Sequence, residues 1–449
     1  MNAEFSKRGV QNCYFPMFVT EAALNKEEAH VEGFTAEVAW ITKSGKTDLK
    51  EKIAVRPTSE TVMYPAYSEW IRSHRDLPLK LNQWCNVVRW EFKSPTPFLR
   101  TREFLWQEGH TAFATKAEAD AEVYDILDVY ERTYADLLAV PTIKGTKTET
   151  EKFPGGDFTT TVEAYIPYAG RGIQGATSHG LGQNFAKMFD VTFESATGAR
   201  ELAWQNSWGF TTRSIGVAIM VHGDDIGLVL PPKIAKIQAI FVPIIMTGQK
   251  EAVFAACAAA AAQLAAAGIR VDTDLSELHN SGFKRSHWEQ KGVPLRIEIG
   301  PKDIAKNSVL MCVRDTAEKR PVAVADLVAV AQKELVDMHA RLLAKATAFR
   351  DAHISDVTSW SEFLAALEKR HLVLAPFCNT SECEEEIKQA QKQQGDDDTI
   401  QQGNEQFQKI TAAAKSLCIP KVQKPLDDGQ KCFRCTRLAK VRCLFGRSF

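Results

Sequence analysis

The chain has 449 residues, 45% hydrophobic and 25% charged, with a formal net charge of −1. That balance excludes a basic polyelectrolyte, so any nucleic-acid contact must come from a local basic patch. No apolar run approaches the ~18 residues of a membrane span, and Met1–Gly9 has neither an apolar signal core nor an Arg/Ser-rich transit pattern, so a cytoplasmic protein without membrane contact is expected.

The first segment, 1–230, alternates strand-like runs with helices and carries most of the tryptophans. Val88–Glu108 reads as two strand-like runs around a loop with two prolines. Arg89 and Glu91 are two apart and share a face if the run is a strand. Arg100, Arg102, Phe104 and Glu108 return on the far side. Lys116–Leu138 has helical spacing through Ala117, Ala121, Tyr124, Leu127, Tyr130 and Tyr134. Val162–Ile166 and Leu202–Trp204 read as strands. Trp204–Gly216 reads as a strand entering a helix that starts near Arg213.

Pro231-Pro232 marks a boundary. Beyond it, Ile237–Ile245 predicts a buried strand, and Glu251–Ala267 an alanine-rich helix stopped by Gly268. Ile269–Thr273, Leu295–Ile299 and Val309–Val313 predict further strands. The alternation gives a small α/β domain over 231–345. The remaining segment, 346–449, contains a Gln/Asp-rich stretch, Lys388–Gln408, expected to be a solvated helix or loop. The sequence shows no internal repeat.

Three nucleotide signatures are missing. Ser44-Gly45-Lys46-Thr47 lacks the earlier glycine of a Walker loop, no G-x-G-x-x-G follows a strand, and there is no HIGH or KMSKS pair. If ATP is used, another architecture must hold it. Arginines in the Val88–Glu108 hairpin can clamp phosphates, and Phe104 can stack on a base. On the residues alone, an ordinary hairpin with cross-strand Arg/Glu pairs fits equally well.

Ten cysteines in so long a chain are not a disulfide scaffold. Cys13, Cys85, Cys257 and Cys312 read as small buried residues. Cys378-x4-Cys383 and Cys432-x2-Cys435 have the paired short spacing of a tetrahedral thiolate zinc site, with Cys418 and Cys443 as possible substitutes. Phe283–Asp303 interleaves basic residues with Trp288 ahead of a strand. This suits a splayed single-stranded RNA loop, and also an ordinary solvated face.

V-R-W-E and R-T-R-E-F in the hairpin, together with G-F-T-T-R ending at Arg213, resemble motifs 2 and 3 of class II aminoacyl-tRNA synthetases. Pro16 resembles the proline closing motif 1. Arg56-Pro57-Thr58-Ser59-Glu60-Thr61, Gly172-Ile173-Gln174-Gly175-Ala176-Thr177-Ser178-His179 and Phe445-Gly446-Arg447-Ser448-Phe449 narrow the resemblance to prolyl-tRNA synthetase, of the archaeal and eukaryotic cytosolic type, over essentially the whole chain.

The resemblance implies an α/β and α+β multidomain fold. A class II antiparallel sheet flanked by helices (1–230) would precede an anticodon-binding α/β domain (231–345) and a C-terminal zinc-type α/β domain (346–449). It implies proline activation by ATP with magnesium, followed by transfer to tRNA. Arg89 would bridge the α-phosphate and the proline carboxylate, and Arg100 and Arg213 would hold the γ-phosphate. Phe104 would stack on adenine near Glu91, Thr101, Gln174 and Thr177. Thr58, Glu60, Trp106 and His179, supported by Glu108 and His110, would form the proline pocket. Lys284, Trp288, Arg296, Glu298 and Asp303 are the anticodon candidates. Cys378, Cys383, Cys432 and Cys435 would hold a structural zinc.

Family members have a long motif 1 helix before the equivalent of Pro16, and here only fifteen residues precede it. The resemblance implies a homodimer and a place in a multisynthetase complex, while the short start makes this chain a truncated gene model, a fragment or a short protein with impaired dimerisation. No long insertion separates Arg100 from Arg213, where bacterial-type enzymes carry an editing domain. Two rivals stand beside the ligase: a catalytically impaired paralogue or fragment that binds tRNA or a partner, and another AMP-forming ligase of the biotin type.

Overall fold

The computed structural model describes residues 1–30, 38–90, 95–392, 401–402, 405–406 and 413–449. Two compact units form: one from residues 1–132, 142–217 and 352–449, the other from 133–141 and 218–351.

In chain order the first unit contributes β1 (Gln11–Cys13), α1 (Glu60–Trp70), β2 (Leu79–Val88), β3 (Glu103–Phe113), α2 (Lys116–Arg132), β4 (Thr142–Thr146), β5 (Phe158–Ile166), β6 (Arg171–Gly182) and β7 (Trp204–Thr211). Helix α3 (Arg213–His222) follows directly. In the second unit lie β8 (Ala239–Pro243), α4 (Lys250–Ala266), β9 (Val271–Thr273), α5 (Ser281–Gln290), β10 (Leu295–Ile299), β11 (Ser308–Val313), β12 (Lys319–Ala323) and most of α6 (Leu327–Ala352). The chain then returns to the first unit as β13 (Ile354–Asp356), β14 (Leu372–Phe377), α7 (Ser381–Lys392), β15 (Lys415–Pro420) and β16 (Val441–Gly446).

An 11-stranded sheet organises the first unit, in the order β1-β2-β3-β7-β6-β5-β4-β15-β16-β14-β13. Its centre is antiparallel, and only its outermost pairs, β1 with β2 and β13 with β14, run parallel. The C-terminal strands extend this sheet through Ile419 opposite Thr146. Such a pairing, across more than 270 residues, leaves no trace in local periodicity. Helix α2 packs on the sheet through Ala119, Val123, Ile126, Leu127 and Tyr130; of the face read from the sequence Leu127 and Tyr130 are buried, whereas Ala117, Ala121 and Tyr124 are exposed, so the helical period holds but the buried face is turned. The last part of the expected helix, Thr133–Leu137, widens into a π turn that Ala139 ends at a φ of 54°. On α1, Met63, Tyr64 and Tyr67 are fully buried against Leu81, Ala112 and Phe185.

The second unit is a five-stranded sheet, β9-β8-β10-β11-β12, covered by α4 and α6. The predicted helix and strands of this unit form within one or two residues of their expected limits, and the expected strand over Ile237–Ile245 is trimmed to β8. Gly268, at a φ of 82°, lies just past α4, a conformation that a Cβ would oppose. Cys85, Cys257 and Cys312 are buried as expected, whereas Cys13 is partly exposed. Much of the Gln/Asp-rich stretch, Lys388–Gln408, lies outside the described residues; its first residues extend α7.

Candidate active site

The central strands open onto a cavity of about 310 Å³. Thr58, Glu60, Arg89, Arg100, Thr101, Phe104, Trp106, Glu108, His110, Gln174, Thr177, His179 and Arg213 all line it. Glu91 lies outside the described residues. The sequence-selected groups, spread over more than 150 positions, thus meet around one space.

The sheet does the gathering. Phe104, Trp106, Glu108 and His110 are successive even positions of β3 and share a face. Strand β6 needs one device more. Val162 pairs with Ala176 but Glu163 pairs with Gln174, so Gly175 is an extra residue in the ladder. This bulge reverses the alternation, and Gln174 joins Thr177 and His179 on the cavity side despite its opposite parity.

Arg89 is placed differently from expectation. It lies one residue beyond β2 rather than within a strand. Its backbone N–H donates to the Arg102 carbonyl at 2.7 Å, and its Nε donates to the Pro57 carbonyl at 2.9 Å. The guanidinium stands over the rings of Trp106 and Phe104, 5.3 and 5.5 Å from their centroids. These contacts aim a planar cation across the cavity mouth. Arg213 is the first residue of α3, and its guanidinium donates to the carbonyls of Leu99 (3.0 Å) and Gln174 (3.1 Å). Arg100 donates to the main-chain oxygen of Phe449.

At the closed end, Thr58 donates to Glu60. Glu108 is enclosed and accepts from Ser59 Oγ (2.5 Å), Ser59 N (3.1 Å), Gln83 Nε2 (3.1 Å) and His110 Nε2 (3.0 Å). Burial opposes charge on both residues. The hydrogen bond and charge of His110, with the bonds from Ser59 and Gln83, nonetheless hold Glu108 below its usual range. The Glu108 bond and the Glu60 and Glu108 charges likewise raise His110. His110 Nδ1 lies 3.0 Å from the Tyr64 hydroxyl.

His179 is set the other way. Burial, then the charges of Arg89, His110 and Lys147, depress it to about 3. Phe153 N–H donates to Thr159 Oγ1 at 2.9 Å, and the same oxygen is hydrogen-bonded to His179 Nδ1 at 2.9 Å. The imidazole is neutral. Such a wall is apolar at its face.

Sequence reasoning did not select Ser59, Gln83 and Tyr64, which hold Glu108 and His110, nor Thr159 and Phe153, which hold His179. Ser59 sat inside a quoted motif, but nothing local marks the others. Arg56, fully buried, donates to the carbonyls of Phe15 (2.7 Å) and Pro16 (3.2 Å), and so anchors the proline of the motif 1 resemblance.

The four cysteines of the two short spacings converge, with their sulfurs within 4.8 Å of one another. Cys383 and Cys432 are 3.9 Å apart, and Cys435 and Cys378 3.8 Å. A tetrahedral zinc with Zn–S of about 2.3 Å sets its sulfurs about 3.8 Å apart, so the residues fit that ion. Cys418 and Cys443 stand outside the cluster, Cys443 donating to the Cys418 carbonyl.

The anticodon candidates are engaged within the second unit. Lys284 donates to the Asp274 carbonyl at 2.7 Å, and Trp288 Nε1 to Asp274 Oδ2 at 2.9 Å. Arg296 and Glu298 pair at 3.1 Å, with Arg285 on the same carboxylate. Asp303 caps the Gly300 N–H at 2.8 Å.

Comparison with known proteins places these features. The class II core domain of tRNA synthetases (G, H, P, S and T) matches residues 40–222, the anticodon binding domain 238–334 and the prolyl-tRNA synthetase C-terminal domain 360–449. The cytoplasmic proline–tRNA ligase of Arabidopsis thaliana is 52% identical over 449 residues, 100% of this chain and 82% of that protein. The proline–tRNA ligase of Encephalitozoon cuniculi is 49% identical over 98% of this chain and 87% of its own length. The bifunctional glutamate/proline–tRNA ligase of Drosophila melanogaster is 51% identical over the whole chain, which spans 26% of that protein. The crystal structure of prolyl-tRNA synthetase from Cryptosporidium parvum, complexed with halofuginone and AMPPNP, superimposes with a TM-score of 0.92 at 49% identity, covering 100% of this chain and 87% of that one.

Proposed function

The chain belongs to the prolyl-tRNA synthetase family, and from that premise we propose that the cavity around Arg89 binds ATP and proline and joins them as prolyl-adenylate. The enzyme is a class II proline–tRNA ligase, which activates proline with ATP and transfers it to tRNA. The observation that carries the site reading is the meeting of Arg89, Arg100 and Arg213 with Glu60 and Phe104 around one cavity.

No side chain has to act as nucleophile or base, because the proline carboxylate attacks the α-phosphate. Arg89 touches both reactants and offsets the charge that builds at phosphorus. Arg100 and Arg213 take the γ-phosphate; Arg100 exchanges the Phe449 oxygen for it. Phe104 stacks on adenine, with Thr101, Gln174 and Thr177 along the nucleotide. Thr58 and Glu60 receive the cationic imino nitrogen, since a carboxylate is its natural partner. Trp106 and His179 wall the ring, and Glu108 with His110 fixes the floor. Magnesium accompanies the triphosphate as part of the substrate.

We assign the anticodon to the α/β segment 231–345, with Lys284, Trp288, Arg296, Glu298 and Asp303 as candidates once their internal pairs open. Cys378, Cys383, Cys432 and Cys435 are proposed to hold a structural zinc in the segment 346–449. The bifunctional relatives support a place in a larger synthetase assembly, and the cytoplasmic Arabidopsis relative supports a cytoplasmic enzyme. Among the described residues no helix is long and apolar enough to cross a membrane. A homodimer is proposed for the active form.

Proline-dependent ATP–pyrophosphate exchange, run beside sedimentation, tests this reading. Exchange with proline but not biotin is expected. Its absence in a folded, dimeric preparation would leave only a tRNA- or partner-binding role.

A further inference from the structure

One wall of the cavity is irregular chain. Residues 148–157 link β4 to β5, and Glu151, Lys152, Phe153 and Pro154 of this segment line the space. Phe153 lies against His179, with ring centroids 4.7 Å apart. A loop holds an aromatic wall less firmly than a strand does, because it lacks a continuous ladder of backbone bonds.

Beside the bonds of Phe153 N–H to Thr159 and Asp157 N–H to Gly180, side-chain partners come from the far end of the chain. Lys388 on α7 donates to Glu151 Oε1 at 3.0 Å, and Lys415 on β15 donates to Glu151 Oε2 at 3.1 Å. One turn earlier on α7, Glu384 accepts from Thr148 Oγ1 (3.1 Å) and Ser416 Oγ (2.5 Å). Glu384, Thr148 and Ser416 are at most 2% exposed, which shields these bonds from water. The residue before Glu384 is Cys383, so the same end of α7 carries one member of the cysteine cluster.

We propose that Lys388 and Lys415 are positioning residues for proline binding: by gripping Glu151 they seat Phe153 against His179. The segment 346–449 thereby sets the shape of the amino-acid end of the cavity without touching substrate. This rests on the assignment of His179 to the proline pocket.

The test uses the full chain with Lys388→Met and Lys415→Met, singly and combined, and Lys388→Arg. Both lysines are partly exposed, at 24% and 37%, and methionine keeps the apolar stem. Hydrogen exchange across 148–157 is expected to quicken in the double variant while β5 and β6 stay protected. The proline KM is expected to rise about tenfold, with kcat and the ATP KM within about twofold, and Lys388→Arg to restore it. Unchanged exchange in 148–157 overturns the proposal. So does loss of protection throughout β5 and β6, which would mark a merely structural role, or quickened exchange with an unmoved proline KM. Should the unmodified protein fail to activate proline, the site reading falls, while the exchange data still decide whether the lysines hold the loop.

Discussion

Glu108 and His110, two residues apart on one face of β3, form an enclosed ion pair at 3.0 Å beneath the cavity. Their opposite shifts define a pH window. Glu108 is lowered from 4.5, so its contribution is complete above that value and is lost as pH falls through its folded value. His110 is raised from 6.5, so its contribution is complete below that value and is lost as pH rises through its folded value. The pair therefore stabilises most between pH 4.5 and 6.5. Glu108→Gln should cost about 3–5 kcal/mol there, because it strands a buried imidazolium. Denaturant melts of both proteins from pH 4 to 9 should show the gap narrowing at each end; a constant gap would mean an uncharged pair.

Arg89→Ala removes the cation proposed to bridge the two reactants. A loss on the order of 10²–10³ in exchange rate is expected, as for other donors aimed at developing charge. Near-normal exchange would remove Arg89 from that role. Arg89→Lys should recover little, since an ammonium cannot keep both the Pro57 carbonyl and a planar contact with Trp106.

His179, depressed to about 3, should show no titration between pH 5 and 8 in histidine-resolved NMR spectra. The unfolded chain takes up a proton near 6.5 that the folded chain refuses, so this residue lowers stability as pH falls below 6.5. His179→Gln should therefore melt less steeply with acid than the parent. A midpoint near 6.5 in the folded spectrum would contradict the enclosed, neutral imidazole.

Gly109 faces Trp208 across β3 and β7, and a Cβ there would fall 2.2 Å from the indole ring. Trp208 is 1% exposed and packs on Phe5, so it has little room to yield. Gly109→Ala should cost about 1–3 kcal/mol or more, read as a lower midpoint in urea. An unchanged midpoint would show that this part of the sheet yields readily.

Cys378, Cys383, Cys432 and Cys435 predict one zinc per chain by elemental analysis. Cys435→Ser should lose it, and Cys443→Ser should keep it. A strong chelator should lower the melting temperature of the loaded protein, since zinc bound to such a site supplies folding free energy. Protein purified without zinc, yet equally stable, would refute the assignment.

Some of this was legible locally. The helical period of α2, the apolar run at β8, the alanine helix α4 and the strand-to-helix step at Arg213 are written in neighbouring residues, but which face of α2 is buried was not, since Ala117, Ala121 and Tyr124 are exposed. The bulge at Gly175 was not, although it decides that Gln174 faces the cavity, because a bulge is defined only against the partner strand. The anticodon candidates read as a basic, aromatic stretch, but burial turns Lys284 and Arg296 inward to Asp274 and Glu298.

By itself, the sequence determined residue type and local period: three arginines, a carboxylate loop, a histidine at the end of the Gly172–His179 motif, and two cysteine pairs. Those choices are chemical and need no partner to be read. Only the tertiary structure decided that β15 adds to the sheet beside β4, and that Lys388 and Lys415 reach back to Glu151. Such contacts join segments more than 230 residues apart, whose encounter depends on burial and sheet register rather than on their neighbours in the chain.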